Sequence, residues 1–311
     1  MAEGINFLAV QDYFGLPELE PVKKDWHILH AMQAITRLDT APFRLVFSGG
    51  TALARAHQCV QRMSEDVDFK IVAPKDLTLS NAQRRKRLGE LRDQITASLL
   101  EAGFVFDPND SACLRSRDAN QYTLYNLPYQ DETKHAGHLR PRIQIELTFT
   151  TLRLPPVVRP VASFVAQAYG RPPEVPVIEC VSLTETAAEK LVGLTRRRAM
   201  ELAGESRNPD PTLVRHIHDL HAIRAHIDRP QMVSLAQAIS QQDAQEFKHQ
   251  CPAYLDDIQG ETWKALADWQ SQASKALYEN FIRAMVYADA SPFEEAIATV
   301  NELAALVWPR A

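Results

Sequence analysis

Two aspartates separated by one residue, Asp66 and Asp68, have the clearest chemical potential in the sequence. They begin the segment 66–72, DVDFKIV, whose alternating polar and apolar residues predict a β-strand with one buried face. Successive strand residues point to opposite faces, so both carboxylates lie on the same face. Two like charges this close favour a cation between them, and Mg²⁺ or Mn²⁺ prefers carboxylate oxygens. The pattern predicts a metal site; two merely solvated aspartates are the alternative.

A pair of glycines precedes the aspartates in a chain that has only 11 glycines. Gly49 and Gly50 end a predicted strand at 43–47 and precede a helix predicted over 52–63. Glycine lets backbone approach a phosphate closely, and the N–H groups at a helix start favour an anion. Thr51 adds a hydroxyl there. Together with the aspartates, this turn indicates a site for a metal-bound nucleoside triphosphate.

The elements that must position these residues follow from hydrophobic periodicity. The N-terminal half mixes helices and strands: helices are predicted at 17–38 and 81–102, strand fragments at 104–106 and 121–127, and an alternating strand at 142–149. Six prolines follow in 154–176, and a helix-capping Ser182 then opens a wholly helical region. Its helices are predicted at 183–203, 211–226, 231–246, 260–287 and 292–307. We therefore predict an α+β domain at 1–155, a Pro-rich connection at 156–181 and a helical domain at 182–311.

Composition narrows the class of protein. Hydrophobic residues make up 45% of the 311 residues and the net charge is -5. No apolar run is long enough to span a membrane, and the N-terminus lacks the basic region of a secretory signal. Four scattered cysteines indicate free thiols in the cytoplasm. The acidic balance argues against a protein that coats nucleic acid; the basic runs at 84–87 and 196–198 are interpreted as solvated helix faces, with RNA contact as the alternative.

Five short motifs occur in the order expected for one family. They are KKDWHI at 23–28, FSGGTAL at 47–53, RMSEDVDF at 62–69, AAEKLVGLTRRR at 187–198 and RHIHDL at 215–220. In these motifs the sequence resembles the AbiEii/AbiGii-type nucleotidyltransferase toxins. The resemblance implies a nucleotidyltransferase-like mixed sheet with flanking helices, followed by an all-helical C-terminal domain. It also implies Asp66 and Asp68 as catalytic metal ligands. It places Gly49, Gly50 and Thr51 around the triphosphate. Ser48, which stands where many members have lysine, Ser64 and Lys190 complete the predicted nucleotide-binding set.

Three further residues complete the predicted catalytic set. Glu146, on the polar face of the strand at 142–149, is the candidate for a third metal-binding carboxylate; an exposed glutamate paired with Arg142 or Lys70 is the alternative. Lys190 matches a family lysine that reaches the triphosphate; the alternative is a solvated surface lysine. Asp219 matches the second acid of RHIHDL.

His216 occupies the position of the first family acid in that motif, which leaves the role of the position open. His216, His218 and His221 could suggest a transition-metal site, but exposed helix histidines are the preferred interpretation because no metal-ligand motif accompanies them.

The resemblance implies transfer of a nucleoside monophosphate from an NTP to an acceptor hydroxyl, with Mg²⁺ or Mn²⁺. It points to a toxin of a toxin–antitoxin or phage-defence pair, with tRNA 3′ ends as the acceptor and a separately encoded antitoxin as partner. The alternatives are transfer to a protein or small molecule, and a catalytically silent interaction module.

Overall fold

The two segments with the cleanest apolar alternation form neighbouring strands of one mixed sheet. The computed structural model describes residues 4–129, 139–205 and 210–310. Within these ranges the sheet has seven strands in the order β3-β4-β5-β2-β1-β7-β6. They are β1 (Arg44–Ser48), β2 (Asp66–Val72), β3 (Leu114–Arg117), β4 (Tyr122–Pro128), β5 (Arg142–Phe149), β6 (Val157–Val161) and β7 (Val175–Cys180). β2 pairs antiparallel with β1 and parallel with β5.

This sheet belongs to the first of two compact units, which comprises Met1–Gln58 and Met63–Val181. Its helices are α1 (Phe7–Phe14), α2 (Glu20–Thr36), α3 (Gly49–Thr51) with a π-helical turn at Ala52–Ala56, α4 (Asn81–Glu101) and α5 (Phe164–Ala168). Apolar residues of α2 and α4 pack in one core with the apolar faces of β2 and β5. The opposite face of these two strands carries the polar residues, and burial of the apolar face fixes that orientation.

The second unit comprises Cys59–Arg62 and Ser182–Ala311. Its helices are α6 (Leu183–Leu202), α7 (Arg215–Ile223) after a 3₁₀ turn at Pro211–Val214, α8 (Arg229–Glu246), α9 (Pro252–Asp256), α10 (Ile258–Trp269), α11 (Gln272–Met285) and α12 (Phe293–Val307). Ser182 caps α6 as the sequence predicts, since its hydroxyl accepts the Glu185 N–H at 3.2 Å. All four cysteines are free thiols.

Three predicted elements differ from the structure. The helix expected over 52–63 ends at Ala56, and Gln58 has a left-handed φ of 54°; the next four residues join the second unit, where Arg62 is buried. Residues 104–106 form no strand. The helix expected over 260–287 is two helices, because the Ser271 hydroxyl caps α11.

The Pro-rich stretch 156–181 contributes two strands and α5 to the first unit rather than an irregular connection. Its β6 lies at the edge of the sheet and contains Pro160. An edge strand tolerates proline because one row of its N–H groups has no strand partner. Because of these prolines, the sequence alone does not predict β6 and β7.

Candidate active site

β2 presents Asp66 and Asp68 on the polar face of the sheet. Val67 and Phe69, which alternate with them, are 0% and 1% exposed in the core. This burial holds the strand in the register that keeps both carboxylates on one side. The prediction that the two aspartates share a face is therefore confirmed.

Gly49 lies directly against Asp68. Its φ is 75°, and a Cβ atom at this position would lie 1.8 Å from Asp68 Oδ2. Glycine is therefore required both by the backbone conformation and by the approach of the carboxylate. The flanking hydroxyls fix the turn to β2: Ser48 Oγ donates to the Asp68 carbonyl at 3.1 Å, and Thr51 Oγ1 donates to the Asp66 carbonyl. Gly50 completes the turn, and Ser64 lies partly buried two residues before β2.

Strand pairing brings Glu146 to the same place. Asp68 and Glu146 are register partners in the parallel β2–β5 pair, so their side chains share the polar face. Gln144 Nε2 donates to Glu146 Oε1 at 2.7 Å. Tyr122 on β4 lies close to Glu146, and burial together with that carboxylate raises the pKa of Tyr122 to about 12. Tyr122 therefore remains a neutral phenol beside this carboxylate.

A charged network that sequence reasoning missed adjoins Asp66. Arg140 Nη2 donates to Asp66 Oδ1 at 2.5 Å, and the Arg140 backbone N–H donates to Glu65 Oε1 at 2.6 Å. Lys24 is 0% exposed, contacts Glu65 and donates to the Arg140 carbonyl at 2.7 Å. Burial alone would raise the pKa of Glu65, but Lys24 and Arg140 hold it below its usual value. The signal for Lys24 was present in KKDWHI; Arg140 lies outside every motif.

The residues on this face fit a hard divalent cation. Mg²⁺ commonly takes one or two carboxylates and completes its shell with water and substrate phosphates. Asp66 and Asp68 supply those carboxylates, and the lack of a Cβ atom on Gly49 lets the Asp68 carboxylate lie against the glycine turn. Among the described residues, no group of three or more His, Cys, Asp or Glu side chains is arranged to hold a metal ion. Metal binding by Asp66 and Asp68, with Glu146 as a third ligand, stays a prediction.

In the second unit, Lys190 and Asp219 meet at a buried ion cluster with Arg62. The Arg62 fork binds both Asp219 oxygens at 2.7 Å, and Lys190 Nζ lies 2.9 Å from Asp219 Oδ2. Asp219 is 0% exposed. Burial would raise the pKa of its carboxyl, but Arg62 and Lys190 hold that pKa well below its usual range. Lys190 is buried, so the solvated-lysine alternative is wrong.

The histidines of α7 are not the exposed residues that the sequence suggested. His218 and His221 are buried, and each ring has a side-chain partner: His218 Nδ1 lies 3.3 Å from Asp219 Oδ1, and His221 Nδ1 lies 2.8 Å from Thr299 Oγ1. His216 Nδ1 lies 3.3 Å from the Lys190 carbonyl. Apolar residues of α7 recur every three residues and pack into the core of the unit, so the histidines next to them are buried as well. The motif alone did not indicate this burial.

The two basic runs differ. Arg196 and Arg198 bind acids within the second unit, Asp243 at 2.7 Å and Asp268 at 2.5 Å. Their guanidinium groups also lie over aromatic rings, so they are not the solvated face that was expected. The run at 84–87 lies in the first turns of α4 and is mostly exposed, as predicted.

The family to which the motifs point agrees with comparisons to known proteins. A family model described as nucleotidyl transferase AbiEii toxin, type IV toxin–antitoxin system, matches residues 32–299. The chain belongs to the AbiEii nucleotidyltransferase toxin family. It is therefore a nucleotidyltransferase toxin of a type IV system, for which the family implies an NTP substrate and an antitoxin partner. No curated protein matches the chain significantly.

The fold of this AbiEii-family chain is also that of a solved toxin. MenT4, a nucleotidyltransferase toxin from Mycobacterium tuberculosis H37Rv, has a TM-score of 0.59 and 18% sequence identity, covering 99% of this chain and 91% of MenT4. At this identity the likeness establishes the fold, which confirms the predicted mixed sheet with flanking helices and a helical C-terminal region. In the part of the chain that the structure describes, no helix is long and apolar enough to cross a membrane.

Proposed function

We propose that the protein transfers a nucleoside monophosphate from an NTP to an acceptor hydroxyl on the polar face of β2 and β5. The observation that carries the proposal is the register of these strands, which puts Asp68 beside Glu146 and above the positive-φ turn at Gly49. A carboxylate pair at a glycine turn is suited to a triphosphate with its metal ion.

Asp66 and Asp68 would hold Mg²⁺ or Mn²⁺, with Glu146 as a further ligand. When bound, the ion would offset the negative charge of the triphosphate and of the leaving pyrophosphate. The acceptor oxygen bonds to the α-phosphorus as the bond to pyrophosphate breaks. In this proposal Glu146 accepts the proton of the hydroxyl, while Gln144 donates to its carboxylate and Tyr122 lies beside it. Ser48 and Thr51 keep the turn of Gly49 and Gly50 against β2, beside Ser64.

The proposal also assigns Lys190 to the triphosphate and Asp219 to the positioning of Lys190. Its support is the match of 187–198 and 215–220 to the family motifs, together with the 2.9 Å ion pair between the two residues. A buried lysine held by one carboxylate has a restricted position, as a point charge for phosphate requires.

The acceptor in this proposal is the 3′ hydroxyl of tRNA. The test is to incubate purified protein with each labelled NTP, Mg²⁺ or Mn²⁺, and total RNA, and separately with protein extract. We expect label in tRNA and a loss of about 10²-fold or more in Asp68→Asn. Asp76→Asn, which alters an exposed turn residue, is the matched control.

Label found only in protein, or only in a small molecule, would overturn the tRNA acceptor but keep the transferase. The silent interaction module makes a different prediction in cells. If Asp66→Ala inhibited growth on expression as strongly as the wild type, the toxic effect would not depend on this chemistry.

A further inference from the structure

The guanidinium of Arg140 forms an ion pair with Asp66, one of the two aspartates that the proposed function assigns to the metal. Arg140 Nη2 lies 2.5 Å from Asp66 Oδ1, and its Nη1 donates to Gln144 Oε1 at 2.9 Å. Charge-assisted contacts of this kind are among the stronger hydrogen bonds in proteins. The charge of the Asp66 carboxylate is therefore already balanced by this chain's own guanidinium.

The backbone of Arg140 is held independently of that contact. Its N–H donates to Glu65 Oε1 at 2.6 Å, and its carbonyl accepts from Lys24 Nζ at 2.7 Å. Lys24 and Glu65 also form an ion pair with each other, in which Lys24 is 0% exposed and Glu65 is 14% exposed. The backbone N–H and the carbonyl of Arg140 thus both belong to a buried clamp that would persist if the guanidinium moved.

The side chain of Arg140, in contrast, is 36% exposed. A long side chain on a fixed backbone can change rotamer, but here the guanidinium must give up its contacts to Asp66, Gln144 and Glu65, the last at 3.4 Å from Nε. A divalent cation carries the charge needed to replace it. A divalent cation and a guanidinium would repel each other at a shared carboxylate. The released fork would bind phosphate oxygens of the NTP, because arginine binds such oxygens bidentately.

We propose that Arg140 is a resident counter-cation of Asp66 that a divalent metal displaces and that then binds the phosphates of the NTP. This inference rests on the proposed metal site at Asp66 and Asp68. It gives a role to Lys24 of the KKDWHI motif, which holds the peptide about which the Arg140 side chain turns.

The first test is the affinity of the protein for Mn²⁺ alone, measured by calorimetry and by the electron paramagnetic resonance signal of free Mn²⁺. Arg140→Gln should bind Mn²⁺ about fivefold or more tightly than Arg142→Gln. Arg142 is an exposed neighbour at the start of β5, so both variants remove one positive charge from the same region. Thermal unfolding of each variant checks that it is folded.

The second test adds an NTP analogue that cannot be cleaved between its α- and β-phosphates, at saturating Mn²⁺. Here the order reverses: Arg140→Gln should bind the analogue about tenfold more weakly than Arg142→Gln, because only Arg140 contacts phosphate. An equal affinity of the two variants for the analogue would overturn the contact with phosphate.

Asp68→Asn separates failure of this inference from failure of the proposed function. Loss of Mn²⁺ binding in Asp68→Asn, with equal Mn²⁺ affinity in the two arginine variants, would leave the metal site standing and overturn the role of Arg140. Unchanged Mn²⁺ binding in Asp68→Asn would overturn the metal site and the inference with it.

Discussion

Gly49 shows how much of the proposed site depends on the absence of one carbon atom. Its φ of 75° is a conformation that L side chains rarely adopt, and the Asp68 carboxylate fills the space in which a Cβ atom would lie. The two effects can be separated, because Gly204 has nearly the same φ of 74° but nothing within 4 Å of its Cβ position.

Gly49→Ala is expected to impair catalysis far more than Gly204→Ala. Both variants should lose about 1–2 kcal/mol of unfolding free energy from backbone strain. Only Gly49→Ala must displace Asp68, so its kcat/KM for nucleotidyl transfer should fall about 10²-fold further. Unfolding in urea and initial rates of transfer provide the two measurements. A similar fall in both variants would mean that strain alone, and not the approach of Asp68, explains the glycine.

At the scale of elements, a buried carboxylate joins three parts of the second unit. Asp219 on α7 binds Arg62 of the segment Cys59–Arg62 and Lys190 of α6. Removing one partner of a buried ion pair is costly because the remaining charge is left without compensation. Exposed ion pairs contribute far less, and Arg229–Glu302, whose side chains are 46% and 54% exposed, offers a comparison in the same unit.

Asp219→Asn should therefore lower the free energy of unfolding by about 3–5 kcal/mol, because Arg62 and Lys190 lose their shared negative partner. Glu302→Gln should lower it by less than about 1 kcal/mol. Denaturant titration followed by circular dichroism measures both. A loss below about 1 kcal/mol in Asp219→Asn would contradict the view that this cluster stabilises the unit, and any loss of transfer would then be assigned to chemistry.

His216, on the same helix α7, should make the free energy of unfolding depend on pH. Burial, reinforced by Lys190 and Arg215, lowers the pKa of His216 well below its ordinary value of 6.5. The unfolded chain therefore binds a proton below pH 6.5 that the folded chain does not. The free energy of unfolding does not depend on this histidine above about pH 6.5. Below that pH it falls by about 1.4 kcal/mol per pH unit for one histidine.

His57 and His221 add to this slope in the same direction, since burial lowers the pKa of both. His216→Gln should make the unfolding free energy fall less steeply between pH 6.5 and 5, whereas substitution of the exposed His249 to Gln serves as the control. Urea titrations at three pH values measure the slopes. Equal slopes in His216→Gln and the wild type would contradict the assignment to His216.

At the scale of the whole molecule, local patterns predicted the elements that have one buried face. The bounds predicted from the alternation of 66–72 and 142–149 match those of β2 and β5, because alternate residues over most of each strand are buried in the core. The same reasoning failed for β6 and β7, where prolines conceal an edge of the sheet, and for residues 59–62, whose position depends on Asp219, far away in the sequence.

The proposed site divides in the same way. Asp66, Asp68 and Gly49 are close in sequence and formed a visible motif. The position of Glu146 beside Asp68 depends on parallel pairing of β2 with β5, and only the structure gives that register. Arg140 and Tyr122 were missed because neither lies in a motif; their positions follow from tertiary contacts with Asp66 and Glu146.

The assignment of Cys59–Arg62 to the helical unit has a consequence for recombination between relatives. A chimera joined at residue 181 would replace Ser182–Ala311 with the C-terminal part of a relative, but it would keep Cys59–Arg62 of the original chain, which belong to the same unit. Arg62 would then face whatever residue the donor carries in place of Asp219. Functional chimeras of this family should therefore exchange the four-residue segment together with the C-terminal part, although more than a hundred positions separate the two in the sequence.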